Sequence, residues 1–225
     1  MGVLAWVVAP VLADQLSGPG ALSRALLITL TAGLAWQFVL VMILVAREQG
    51  TLRWSVIKDA LWLRAPRSPK TGRRGGRLWL VLVPLILAFG VEELVPLLPH
   101  AASRDFGEFL GSDAGQALFA GSWGWFALVV AVVVFNTVLG EELLFRGYLL
   151  PRMNGVFGRR DWLANGVLFA VYHLHMPWVI PSTLLDTFII SYPSKRYRSA
   201  LIGIAVHSAQ SVLILGLTLS VVVTG

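Results

Sequence analysis

The sequence predicts an all-α fold, a polytopic transmembrane helical bundle of about six to seven helices, with two short helices around a central polar cavity. Three observations predict it. Of the 225 residues 56% are hydrophobic and only 13% are charged, with a mean hydropathy of +0.74, more apolar surface than a water-soluble domain hides. The apolar residues come in runs close to the roughly 20 that a helix needs to cross a hydrocarbon core. Half of the 18 basic residues lie in one interval, 47–77, which marks a loop on the cytoplasmic side of a membrane. The net charge of +6 is thereby a topological signal, so no nucleic-acid partner is expected and the lipid bilayer is. The absence of cysteine excludes disulfides, thiolate metal sites and a thiol nucleophile.

Residues 1–225 read as a single membrane domain. Residues 1–20 open with an apolar stretch that no basic segment precedes, so they are expected as an interfacial or re-entrant segment rather than a cleaved signal peptide. The first span runs from about Leu22 to Ala46. The basic loop 47–77 follows, with Leu52, Trp54, Val56, Ile57, Leu61 and Trp62 suited to an amphipathic helix on the inner leaflet. Its tip, Pro66 to Gly76, is expected to be disordered on its Pro, Gly, Lys and Arg content. The second span, Leu78 to about Leu98, runs outward and leaves Pro99 to Ser122 outside, where one Arg faces three acids. The third, Trp123 to about Leu150, returns inward to Arg152, Arg159 and Arg160. Leu163 to Trp178 and Val179 to Tyr192 are each too short for a crossing and are separated by Pro177 and Pro181, which predicts a shallow hairpin of two short helices. Lys195, Arg196 and Arg198 return the chain to the inner side, and Ala200 to Val223 is the last span.

Ionisable groups inside spans are costly and normally face the interior for a functional reason. The strongest group lies in Asn136 to Arg152. Glu142 and Arg146 are four residues apart and share one helix face, with the acid N-terminal to the base as that pairing prefers. Glu141 points about 100° away, so Arg146 neutralises one carboxylate and leaves the other to exchange a proton as a general base. The same three residues also fit an ion cluster at a cytoplasmic helix end. His173 shares a face with Phe169, whereas His175 is turned away and is not expected to join it. His207 has Ser211 one turn later on its own face. Glu92 and Glu93 repeat the paired acids without an arginine at helical spacing, and are expected to be interfacial. Asp186 either faces the cavity or caps the hairpin.

The EELLFR of Glu141 to Arg146, the FAVYH of Phe169 to His173 and the later His207, in this order on separate spans, resemble the CAAX protease and bacteriocin-processing family, which includes the prenyl-protein endoproteases and the abortive-infection proteins. The resemblance covers about Phe135 to Ser211 and places a catalytic core within 123–223. It implies an intramembrane endopeptidase opening to the cytoplasm and acting on a membrane-associated peptide or protein, prenylated substrates included. In the family's terms Glu141 activates water, His173 assists, Glu142 and Arg146 hold the first motif in shape, and His207 stabilises the oxyanion. Ser211 and Phe169 are the candidates for contact with substrate or oxyanion. The family pattern often has Asn where Ser211 stands, and serine has the shorter reach.

The expectation is a glutamate-activated water with no cofactor and no metal. Zinc is the alternative, with Glu141, His173 and His207 as three ligands and water as the fourth, although no HExxH spacing occurs. A serine protease fits less well, because Ser211 lacks an obvious acid partner. A transporter or immunity protein that uses the same residues to carry protons is the reading from another class.

Overall fold

The computed structural model describes residues 1–93, 98–99 and 101–225, with the Glu93 side chain outside the described part. Helix α1, a π-helical turn Leu4–Val8 continued by Ala9–Ala13, lies on α2 (Ala21–Gln49). Small residues allow the approach, since Ala5, Ala9 and Ala25 are wholly buried there with Leu26. The short amphipathic helix expected in the basic loop is α3 (Trp54–Ala60), with Trp54 exposed and Leu61 buried.

The second apolar stretch forms a 3-10 segment, Gly76–Val81, before α4 (Leu82–Glu93). Pro84 has no N–H to bond back to Leu80, so an uninterrupted α-helix from Leu78 is disfavoured and the proline sits in the first turn of α4. The outer part of this expected span, residues 94–97, lies outside the described residues. Helices α5 (Phe106–Gly111) and α6 (Asp113–Phe119) are capped by Asp105 and Ser112, whose side-chain oxygens accept from the N–H groups of Glu108 and Gly115. Next comes α7 (Trp123–Arg152). The expected hairpin is α8 (Asp161–Tyr172), two 3-10 turns (His173–His175 and Pro177–Val179), and α9 (Ile180–Asp186) extended by a π turn, Thr187–Ser191. Helix α10 (Tyr192–Tyr197) leads to α11 (Ala200–Thr224).

Among the described residues α2, α7 and α11 are long and apolar enough to cross a membrane. Two sets of contacts fix their directions. At one end Arg152 pairs with Glu48 at 2.5 Å, and the Ala200 N–H donates to the Trp62 carbonyl. At the other, the Gly121 N–H donates to Val222, and Leu27, Phe119, Val129 and Val222 form one core cluster. Thus α11 runs antiparallel to α2 and α7, and the basic ends gather on one side. Trp36, Leu87 and Val212 are largely exposed, as lipid-facing side chains are.

The loop tip 66–76 departs from expectation. It is an ordered turn in which Ser68 N–H donates to Arg73 and Gly75 N–H to Pro66, and Arg67 N–H donates to Tyr197 at the end of α10. Glycines 72 and 75 take φ of 72° and 68°, which a chain reversal this tight requires. Composition registered the charge of this segment but not the backbone pairing that holds it.

Candidate active site

The segment around Glu141 and Glu142 is not a regular α-helix. Two π-helical turns, Val134–Gly140 and Leu143–Leu149, flank the two acids, and the Glu141 N–H bonds to Asn136, five residues back. Gly140 permits this, since a Cβ there would lie 2.2 Å from the Phe135 carbonyl oxygen. Such π turns are rare and concentrate at functional sites.

The expected pairing of Glu142 with Arg146 is present. Both side chains are wholly buried, with Arg146 Nη1 2.9 Å from Glu142 Oε1. The guanidinium also donates through Nη2 to Ser191 at 3.3 Å and lies 3.9 Å over the Phe169 ring. Ser191 in turn donates to Asn165, which anchors to the Phe145 carbonyl. His207 Nδ1 reaches the same Glu142 oxygen at 3.2 Å. One carboxylate therefore ties α7 to α11, while its arginine partner ties α7 to the hairpin. A buried pair of this kind is costly to break, about 3–5 kcal/mol when one partner is removed.

Glu141 has a different neighbourhood. Its Oε2 is buried with no hydrogen-bond partner among the described residues, and it faces His173 Nε2 at 3.9 Å. His173 Nδ1 lies 2.8 Å from the Phe169 carbonyl, which can only accept, so Nδ1 carries a proton, and when the ring is neutral its Nε2 lone pair faces Glu141. Two acceptors thus oppose each other at a separation that suits one bridging water with two O–H donors. The Tyr172 hydroxyl donates to Gln37 at 2.8 Å and lies beside the Glu141 carboxylate.

The remaining residues fall into place around this pair. Phe169 is 2% exposed and holds both Arg146 and His173. Ser211 is buried with its hydroxyl toward Thr137 at 3.4 Å, one helical turn from Glu141 along α7. His175, expected to stand apart, stacks on His173 with ring centroids 5.3 Å apart. The α-helix ends at Tyr172, and the 3-10 turn that follows brings the two rings to one side. Glu92 is buried rather than interfacial, because α4 packs its Phe89 against the His207 ring at 5.9 Å. Asp186 is likewise buried, near enough to His207 to interact with it. Gln37, Tyr172, Asn165, Ser191 and Thr137 were not singled out from sequence. Gln37 was the detectable one, as a lone amide in the middle of an apolar span.

The two histidines of the alternative zinc set face different carboxylates. His207 is committed to Glu142 while His173 faces Glu141, and among the described residues no three such side chains converge on a point where an ion would sit.

Fold and site together define an all-α membrane protein with a buried carboxylate–histidine centre, assembled from a long helix, a short hairpin and a last span. Residues 123–213 match the family model described as type II CAAX prenyl endopeptidase Rce1-like, in agreement with the resemblance carried by the three motifs. The matched interval contains Glu141, Glu142, Arg146, Phe169, His173, His207 and Ser211. No curated protein and no solved structure matches the chain.

Proposed function

We propose that the protein is a multi-pass intramembrane endopeptidase that hydrolyses a peptide bond of a membrane-associated substrate, with Glu141 as general base and without a metal. The observation that carries this reading is the opposition of the unpartnered Glu141 Oε2 and the Nε2 lone pair of His173. A water held between them gives a proton to Glu141 as its oxygen attacks the carbonyl carbon of the scissile bond. The electron pair of the C=O bond moves to oxygen, and His207, fixed by Glu142 through Nδ1, donates from Nε2 to this oxyanion in its imidazolium form. Collapse of the tetrahedral species breaks the C–N bond, and Glu141 passes its proton to the departing amine. Glu142 and Arg146 are positioning residues in this scheme. The basic side, where Arg47 to Arg77 and Arg152 to Arg160 lie, faces the cytoplasm, and the substrate reaches the site from that side. The family description supports a prenylated peptide as the first substrate to try.

The test is mass spectrometry of products after mixing the purified protein with membrane-anchored peptides, farnesylated and not. Cleavage is expected to fall about 10²- to 10⁴-fold in Glu141→Gln. Undiminished cleavage by that variant overturns the assignment. Flux of a small solute across proteoliposomes, with no peptide product from any substrate, overturns the enzyme reading itself.

A further inference from the structure

Away from Glu141, the turn 67–72, the loop 154–159 and α10 enclose a cavity of about 700 Å³. Arg67, Lys70, Arg159, Lys195, Arg196 and Arg198 line it, and no carboxylate does. Of these six, Lys195 is matched by an acid, the buried Asp161 at 2.5 Å. For the other five no ion pair is present among the described residues. Like charges gathered on a concave wall repel one another and focus a positive potential into the space they surround, which an anion relieves. The wall is a built one, since the turn is closed by its own backbone bonds and fastened to Tyr197.

The same cavity has an aromatic side. Trp162 and Tyr192 line it, with ring centroids 5.2 Å apart, and Trp162 also packs at 5.4 Å on Phe188, which is 59% exposed. Such a belt lies where hydrocarbon meets headgroup. Cationic side chains just beyond it stand at the depth of lipid phosphates. A soluble acidic peptide would satisfy the charges but would make no use of Phe188.

We propose that this cavity binds the phosphate of an anionic phospholipid headgroup, with the acyl chains lying along Phe188 and the neighbouring lipid-facing surface. The site is independent of the proposed hydrolytic chemistry and shares no residue with it.

The experiment is native mass spectrometry of the full chain in detergent micelles with phosphatidylglycerol or phosphatidylcholine added, and with inorganic phosphate or hexaglutamate as competitors. Phosphatidylglycerol is expected to be retained at one molecule per chain and phosphatidylcholine lost. The triple variant Lys70→Gln, Arg159→Gln, Arg196→Gln is expected to weaken retention roughly a hundredfold. Phe188→Ala is expected to weaken lipid retention several-fold while leaving inorganic phosphate binding unchanged. If the triple variant does not fold, Lys70→Gln and Arg159→Gln alone take its place, each with about a fivefold loss. Unchanged lipid retention in the cationic variants overturns the proposal. So does inorganic phosphate or hexaglutamate that displaces the lipid at equal concentration, because the site would then serve a free anion or an acidic peptide.

Discussion

A Cβ placed on Gly203 would lie 2.2 Å from Oε2 of Glu142, so the last span carries a glycine where the buried carboxylate crosses to reach His207. The carboxylate cannot give way, because Arg146 and His207 hold its other oxygen. Gly203→Ala is therefore expected to cost about 1–3 kcal/mol as an overpacking change, read as a lower Tm, and to reduce turnover with it. Gly216→Ala on the same helix meets nothing within 4 Å and is expected to leave Tm within the small range of surface changes. Equal Tm values for the two variants would contradict the close fit at Gly203.

Glu141 and Glu142 are adjacent in sequence but are expected to fail differently. Glu142→Gln leaves Arg146 buried without its counter-charge and should lower stability by about 3–5 kcal/mol. Glu141→Gln removes no ion pair with arginine and should leave Tm near that of the unmodified protein while turnover is lost. Thermal denaturation and peptide cleavage measured on the same preparations separate the two roles, and similar profiles for both variants would sink the distinction.

Ser211 turns its hydroxyl to Thr137. If this contact is its main role, Ser211→Ala should change kcat less than tenfold, well short of the 10²- to 10³-fold loss that accompanies removal of an oxyanion donor. A loss in that larger range would reassign Ser211 to the oxyanion and reduce the share carried by His207.

Asp161, the first residue of α8, is a further buried carboxylate outside the site. Burial pushes its pKa up, but Lys195 and the N–H groups of Gly155 and Phe157 prevail and hold it below the ordinary carboxylate range. A depressed folded-state pKa stabilises the fold above the unfolded value, about 3.9, and that contribution fades as pH falls toward the folded value. Asp161→Asn should therefore lower stability by about 1–3 kcal/mol at neutral pH, with the difference from the unmodified protein shrinking below about pH 4. A difference independent of pH down to pH 3 would show that packing, not charge, accounts for it.

The basic loops should share one side of the membrane. Cysteines introduced at Ser68 and Gly158 are expected to resist an impermeant thiol reagent in intact cells, and one at Ser112 to react. The chain has no cysteine of its own, so the readout has no background. Labelling at Ser68 from outside would invert the orientation.

The sequence by itself determined the class of fold and the chemical groups of the site. Apolar runs of spanning length and the clustering of arginines follow from the bilayer's thickness and charge asymmetry, which act on a segment without regard to its neighbours. The pairing of Glu142 with Arg146 was legible for a similar reason, since four residues along a helix is a local relation. Only the tertiary structure decided which histidine meets which acid. His173 faces Glu141 and His207 faces Glu142 because the hairpin and α11 approach α7 from different sides, and the π turns around the acids rotate them in a way that a uniform 100° per residue does not anticipate. Glu92 became buried because α4 packs against α11, and the loop tip is fastened to Tyr197, contacts between segments far apart in the chain that periodicity and composition do not encode. His175 joined His173 through a local change, the 3-10 turn that ends the α-helix at Tyr172, which a uniform helical period also misses.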